Sequence, residues 1–245
     1  MKKLLKKILN KFSRILYFII PHEFKLKNLK SKLEVKLEED LLEETYTKFR
    51  DHLKKSVLFR NVWDIRKYAV ETSLLNDKEK EYYYLEFGVY KGGSANYFSN
   101  YVKKLYAFDS FEGNSEEMVA SFGEDKSVST TIGNCNLYRK IPKLNSNVEP
   151  IIGWVEDTLD VFLKNHNPKI NFIHFDMETY SPTKYCLTKL KPYLVSGAII
   201  FFDELYNYVG WKSGEYKALI EVFEEDEYIF KAFQTNGRKC VIKIK

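Results

Sequence analysis

Residues 82–113, YYYLEFGVYKGGSANYFSNYVKKLYAFDSFEG, constrain the fold more than any other part of the chain. An apolar run over residues 82–87 carries a single acid, Glu86. A glycine-bearing turn follows, with Gly88, then Gly92, Gly93 and Ser94. Residues 95–103 have room for two or three helical turns, and a second apolar run, residues 105–108, ends in Asp109. Strand, glycine turn, helix, strand, acid is the first half of a nucleotide-binding α/β unit. The glycines let the backbone turn tightly and approach a ligand closely. The acid ending the second strand stands where such folds hold a pair of ribose hydroxyls.

The turn is not G-x-G-x-x-G, the spacing that seats a pyrophosphate on a helix N-terminus. Tyr90 and Lys91 lie inside it, and Glu86 lies two residues before Gly88. A carboxylate there repels phosphate but accepts bonds from an ammonium group or hydroxyls. S-adenosylmethionine has a ribose, an α-ammonium and no phosphate, so the chemistry favours it over NAD. An ordinary strand-turn-helix crossover with no ligand has the same outline; the segments downstream distinguish the two.

Two acids end each of two later apolar runs. Residues 170–175 carry His174 and lead into Asp176-Met177-Glu178; residues 198–202 lead into Asp203-Glu204. In an open parallel sheet the C-terminal strand ends share one edge. Four carboxylates crowded there need a cation or shifted pKa values. Oxygen-only ligands suit Mg²⁺ or Ca²⁺ rather than zinc, and solvated acids at strand ends are the plainer alternative. His22, His52, His166 and His174 form no HxxH or HExxH spacing. His174 alternates with Ile173 and Phe175 and reads as a satisfied core or interface residue. There is neither a G-x-S-x-G elbow nor a Cys-His arrangement.

The chain of 245 residues holds one α/β domain with an extension. Its net charge is +5, but residues 1–16 contain Lys2, Lys3, Lys6, Lys7, Lys11 and Arg14 and no acid. The remainder is near neutral, which excludes a general nucleic-acid surface. Residues 1–20 read as a basic amphipathic helix that lies on an anionic membrane or packs on protein. The apolar run 15–20 is too short to span a bilayer, and no secretion signal is apparent. Pro21 ends that helix, and residues 22–40 look like a linker. Residues 41–75 read as two helices, with 31–79 a helical cap beside the methyl-donor domain of residues 80–245. Three scattered cysteines, Cys135, Cys186 and Cys240, argue against a disulfide framework and fit a reducing compartment.

After Asp109 a polar, loop-rich insertion runs to about Asn147, with residues 118–122 part of a helix. Residues 148–152 form the third strand, ending in Gly153-Trp154, and a helix runs on to about Asn165. Pro182 suits the first turn of the next helix. Residues 193–197 read as a turn, and residues 214–224 as a helix. Residues 228–233 and 240–244 flank Thr235-Asn236-Gly237, a hairpin signal.

Taken in order, LEFGVYKGGS, AFDSFEG, GWVEDTL, HFDMETYSPTKYCL and GAIIFFDE resemble the macrocin O-methyltransferase family over residues 82–245. These are S-adenosylmethionine-dependent enzymes that methylate sugar hydroxyls. The resemblance implies a Rossmann-like class I methyltransferase fold: a mostly parallel seven-stranded sheet with a C-terminal antiparallel hairpin, plus N-terminal helices. It implies that Glu86, Gly88 and Ser94 line the methionine end of the cofactor, with Tyr90, Gly92 and Asp176 also at the cofactor. Asp109 and Ser110 would hold ribose, and Gly153 and Trp154 would border adenine. Asp176, Asp203 and Glu204 match the family's magnesium ligands, and Glu178 its general base. The family often has Asp at the Glu178 position and an Asp-Asp pair where this chain has Asp203-Glu204.

The expected function is Mg²⁺-dependent methylation of a sugar hydroxyl in a glycan, nucleotide sugar or glycosylated natural product, as in polysaccharide biosynthesis. The acceptor would carry neighbouring hydroxyls. The expected assembly is a homodimer, cytoplasmic or peripheral at the inner membrane face through residues 1–20. A cephalosporin-hydroxylase-like relative, and a non-catalytic glycan- or membrane-binding module on the same fold, are the alternatives.

Overall fold

The computed structural model describes residues 31–117 and 132–245. The amphipathic helix expected at residues 1–20 and the helix expected at 118–122 lie outside these. The chain divides after Tyr46 into two compact units, and the sheet and the site belong to the second, residues 47–245. No helix among the described residues is long and apolar enough to cross a membrane.

Eight strands form one sheet in the order β1-β7-β8-β6-β5-β2-β3-β4. They are β1 (Val57–Phe59), β2 (Tyr83–Phe87), β3 (Leu105–Asp109), β4 (Val148–Ile152), β5 (Ile170–Phe175), β6 (Leu194–Phe202), β7 (Tyr228–Gln234) and β8 (Cys240–Ile244). The helices are α1 (Lys32–Leu53), α2 (Val62–Leu74), α3 (Gly93–Ser99), α4 (Val155–His166), α5 (Tyr180–Leu190) and α6 (Glu215–Val222). β8 alone runs antiparallel, inserted between β6 and β7. From β4 to β7 this is the Rossmann-like class I methyltransferase arrangement implied by the sequence motifs, including the C-terminal hairpin. Central strands of a parallel sheet are covered on both faces, so they are apolar nearly throughout. Accordingly every residue of β5 is buried.

Alternation along the strands builds two distinct layers. On one face Phe108, Phe87, Phe175 and Phe202 lie in register across β3, β2, β5 and β6. Their rings stack at centroid distances of 4.6, 5.3 and 5.5 Å. On the other face Phe172, His174 and Phe201 receive the edge of Phe98 from α3. Each phenylalanine of the row is the last or next-to-last residue of its strand. Asp109, Gly88, Asp176 and Asp203 therefore emerge side by side at one sheet edge. The order also reverses between β2 and β5, the kind of switch point at which open α/β sheets bind ligands.

The sheet has eight strands, not seven. The segment read as two consecutive helices instead contains β1, which pairs parallel with Ala232–Gln234 of β7. Its three residues are too few to show a period of two, and Val57 fits the helical spacing that precedes it. β6 starts at Leu194, so of the expected turn at 193–197 all but Tyr193 is strand, with Gly197 at φ +87°. Helix α3 ends at Ser99 rather than near Lys103. There the Asn147 side-chain amide donates to the carbonyls of Ser99 and Val102 at 2.8 and 3.0 Å, offering helix-end acceptors a partner outside the helix.

Phe172 is fully buried between Tyr84 and Phe98. Phe172→Ala should lower unfolding free energy by about 3–5 kcal/mol, measured as a shifted denaturant midpoint with an unchanged slope.

Candidate active site

The glycine turn is built around Asp109. One carboxylate oxygen accepts from the backbone N–H groups of Val89 and Tyr90 at 2.7 and 2.8 Å, and the other from that of Phe111 at 2.6 Å. Charge-assisted bonds of this kind are strong, and they hold the loop after β2 against the end of β3. The turn needs its glycine: Gly88 has φ +88°, and a Cβ there would lie 2.1 Å from the Asp176 carbonyl oxygen. Tyr90 and Phe111 also adopt left-handed backbone, at φ +47° and +55°.

Beside this turn lies a cleft of about 430 Å³, within the usual range for small-molecule sites. Of the residues singled out in the sequence, Gly88, Tyr90, Asp109, Ser110, Gly153, Trp154, Asp176, Glu178, Asp203 and Glu204 line it. Glu86, Gly92 and Ser94 are not among its lining residues. Glu86 points to the opposite sheet face from the phenylalanine row and is fully buried, with one oxygen 3.0 Å from His174 Nδ1. Gly92 precedes α3 in left-handed backbone, and a Cβ there would press on Leu144 at 2.6 Å. Ser94 is buried in the first turn of α3. These three shape the turn from behind rather than face the cleft.

The acids form two overlapping groups. Ligand atoms of Asp176, Glu178 and Glu204 lie within 4.8 Å of one another, as do those of His174, Asp176 and Asp203. Burial, reinforced by the charges of Asp203 and Glu204, pushes the Asp176 carboxyl well above its ordinary range. Burial and Asp203 likewise push Glu204 up to about 8. Asp203 behaves oppositely. Burial would raise it, but Lys239, His174 and Arg66 together outweigh burial and hold it well below the usual carboxylate range. His174 Nε2 lies 3.1 Å from Asp203, and Lys239 Nζ 2.7 Å. Burial disfavours a charged His174, yet its bonds to Asp203 and Glu86 raise it to about 9. The ring lies between two carboxylates, with one nitrogen facing each. Behind the cluster, the fully buried Glu215 accepts from the Glu204 N–H at 3.1 Å.

The donor set suits a hard divalent cation. It is made of oxygens, and Glu204 Oε2 is buried without a hydrogen-bond partner. The other end suits a methyl donor: a glycine turn with no side chain in the way, a carboxylate and an indole wall. Glu178 has φ +64° and is nearly buried, with the Asn114 amide 3.4 Å from its carboxylate. Strain of this sort at a cleft accompanies functional placement. Residues that sequence reasoning passed over are Arg66, Lys239 and Asn114, which line the cleft; His174, read as a satisfied core residue, is buried with both ring nitrogens partnered. A lone Arg on a helix and a Lys after a hairpin turn carry no local signature of a site.

Residues 85–205 match the family described as a methyltransferase domain. No curated protein matches the chain significantly. Among solved structures, it is similar to CalS11, calicheamicin methyltransferase, with a TM-score of 0.55 and 19% identity over 87% of this chain and 93% of that one. An apo structure of CalS11, titled a TDP-rhamnose 3'-O-methyltransferase, gives 0.52 and 18% over 87% and 95%. At these identities the likeness is one of fold.

Gly88→Ala forces both a strained φ and a clash with backbone. It should cost about 2–4 kcal/mol of stability and weaken S-adenosylmethionine binding at least about tenfold, as calorimetry on the folded fraction would report.

Proposed function

We propose that this chain is an S-adenosylmethionine-dependent O-methyltransferase that uses a divalent cation and acts on a sugar hydroxyl. One observation carries the reading: the glycine turn and the convergent carboxylates of Asp176, Glu178 and Glu204 open into the same cleft. A fold of this kind with either feature alone would support only ligand binding or only cation binding.

When bound, the methyl donor supplies an electrophilic methyl group on a sulfonium. A bound divalent ion, Mg²⁺ by its oxygen donors, supplies a Lewis acid that lowers the pKa of a hydroxyl. Gly88, Tyr90, Asp109, Ser110, Gly153 and Trp154 form the wall that would receive the donor. In this structure the Asp109 carboxylate already accepts three backbone N–H bonds. Its first contribution is to hold the turn in shape; a ribose hydroxyl would use a remaining lone pair. Asp176 and Glu204, with Asp203 beside them, would hold the cation. Glu178 lines the same cleft, and we assign it to take the hydroxyl proton. Its fixed backbone and the neighbouring Asn114 amide limit the directions its carboxylate can adopt, and positioning supplies much of the acceleration in transfer reactions.

The sugar class draws support from the likeness to CalS11, a TDP-rhamnose 3'-O-methyltransferase. A screen of nucleotide sugars with a labelled methyl donor tests the class directly.

Calorimetry should show S-adenosylmethionine binding in a folded sample; no binding at millimolar donor would end the proposal. Glu178→Gln should cut turnover about a hundredfold or more with cofactor affinity intact. Chelation by EDTA should abolish transfer and added Mg²⁺ restore it, whereas turnover that persists in EDTA would remove the cation from the reaction.

A further inference from the structure

Charge is unevenly shared within the carboxylate cluster. Asp203 has two cationic neighbours, Lys239 at 2.7 Å and Arg66 at 3.4 Å, and the His174 ring at 3.1 Å. A few ångströms away, Asp176, Glu178 and Glu204 converge, and Glu204 Oε2 lies buried with no hydrogen-bond partner. Asp203 is thus paired directly with protein cations, while one buried oxygen of Glu204 has no hydrogen-bond partner.

The three neighbours are not equally fixed. His174 sits inside β5 with its second nitrogen held by Glu86. Arg66 lies on α2, its guanidinium 5.0 Å from the Trp63 ring centroid. Lys239 instead reaches in on a flexible stem from the turn between β7 and β8. The backbone of that turn is anchored: the Gln234 N–H donates to the Lys239 carbonyl at 2.9 Å, and the Leu205 N–H to the Arg238 carbonyl at 3.0 Å. The ammonium lines the cleft with its side chain 14% exposed. Its base is fixed, and its tip has room to move.

We infer that Lys239 is a built-in counter-cation of this cluster: its ammonium and the divalent ion are alternative partners of Asp203. The inference rests on the reading that the carboxylates take a divalent cation. An ammonium and a doubly charged ion cannot both sit at contact distance from one carboxylate without strong repulsion, even at the dielectric constant of water. Entry of the ion must therefore weaken the Lys239–Asp203 pair, and that pair must weaken ion binding by the same factor. Lys239 is a positioning residue here. It keeps Asp203 aimed at the cluster, and a singly charged ion has little electrostatic advantage over it. Release of its ammonium toward the cleft would also deliver a hydrogen-bond donor to the side where the acceptor enters.

The test is Mn²⁺ binding, followed by calorimetry and by the manganese paramagnetic resonance signal, at one pH, on the full chain. Lys239→Met should bind Mn²⁺ at least about tenfold more tightly than wild type, and Lys239→Arg within about threefold of wild type. Equal or weaker binding by a folded Lys239→Met would overturn the inference while leaving the cation reading intact. If wild type binds no Mn²⁺, the cation reading fails and this inference falls with it. Should the variants not fold, wild type decides alone. Reductive methylation read by peptide mass spectrometry should label Lys239 faster when Mn²⁺ is bound. Labelling unchanged by an ion that demonstrably binds refutes the exchange.

Discussion

The registered row of Phe108, Phe87, Phe175 and Phe202 is the constraint on which the rest depends. Four rings stacked across four parallel strands bring the next residue of each strand to one level. Those residues are Asp109, Gly88, Asp176 and Asp203. A slip of one residue in any pairing would send its acid to the other sheet face. The apolar layer thus does more than stabilise the sheet. It sets the coordinates of the polar groups above it, at the switch point where strand order reverses.

The opposite face carries a second, polar connection. Glu86, His174 and Asp203 sit on β2, β5 and the end of β6, joined at 3.0 and 3.1 Å through the two imidazole nitrogens. Buried charges are costly unless paired and hydrogen-bonded. Here one imidazole ring lies between two carboxylates, with Phe201 stacked on it at 4.9 Å. The arrangement orients Asp203 as an outer-shell partner orients a metal ligand. It also ties the strand bearing the glycine turn to the strand bearing the last pair of acids, so the two halves of the cleft share one rigid support.

Asp109 shows how one carboxylate can serve fold and site together. The acid at the end of a second strand is expected at a ribose. In this chain it first gathers three backbone N–H groups and so shapes the loop that faces the ligand. The Glu at position 178 has a parallel character: its left-handed backbone lets a longer side chain than Asp fold back toward Asp176 and Glu204.

Local chemistry was enough to find much of this. Continuous apolar runs located β2 to β5, β7 and β8, the C-terminal part of β6, and the acids at the strand ends. Glycines at 88 and 92 marked the turn because few other residues accept its backbone. β1 escaped because three residues carry too little pattern and its pairing partner lies about 170 residues away. Glu86 was expected at the cofactor because a carboxylate there could accept bonds from an ammonium or hydroxyls, and because the family resemblance implied it. Side-chain alternation instead turns it into the buried face, a matter of sheet register rather than of spacing. Lys239, Arg66 and His174 had no motif to announce them; only the meeting of α2, β5 and the β7–β8 turn gives them a common target. The sequence by itself determined which residue types end each strand, since that is written in local pattern. The tertiary structure decided which of those acids meet protein cations and which converge on one another, because Coulomb forces act across space and ignore chain order.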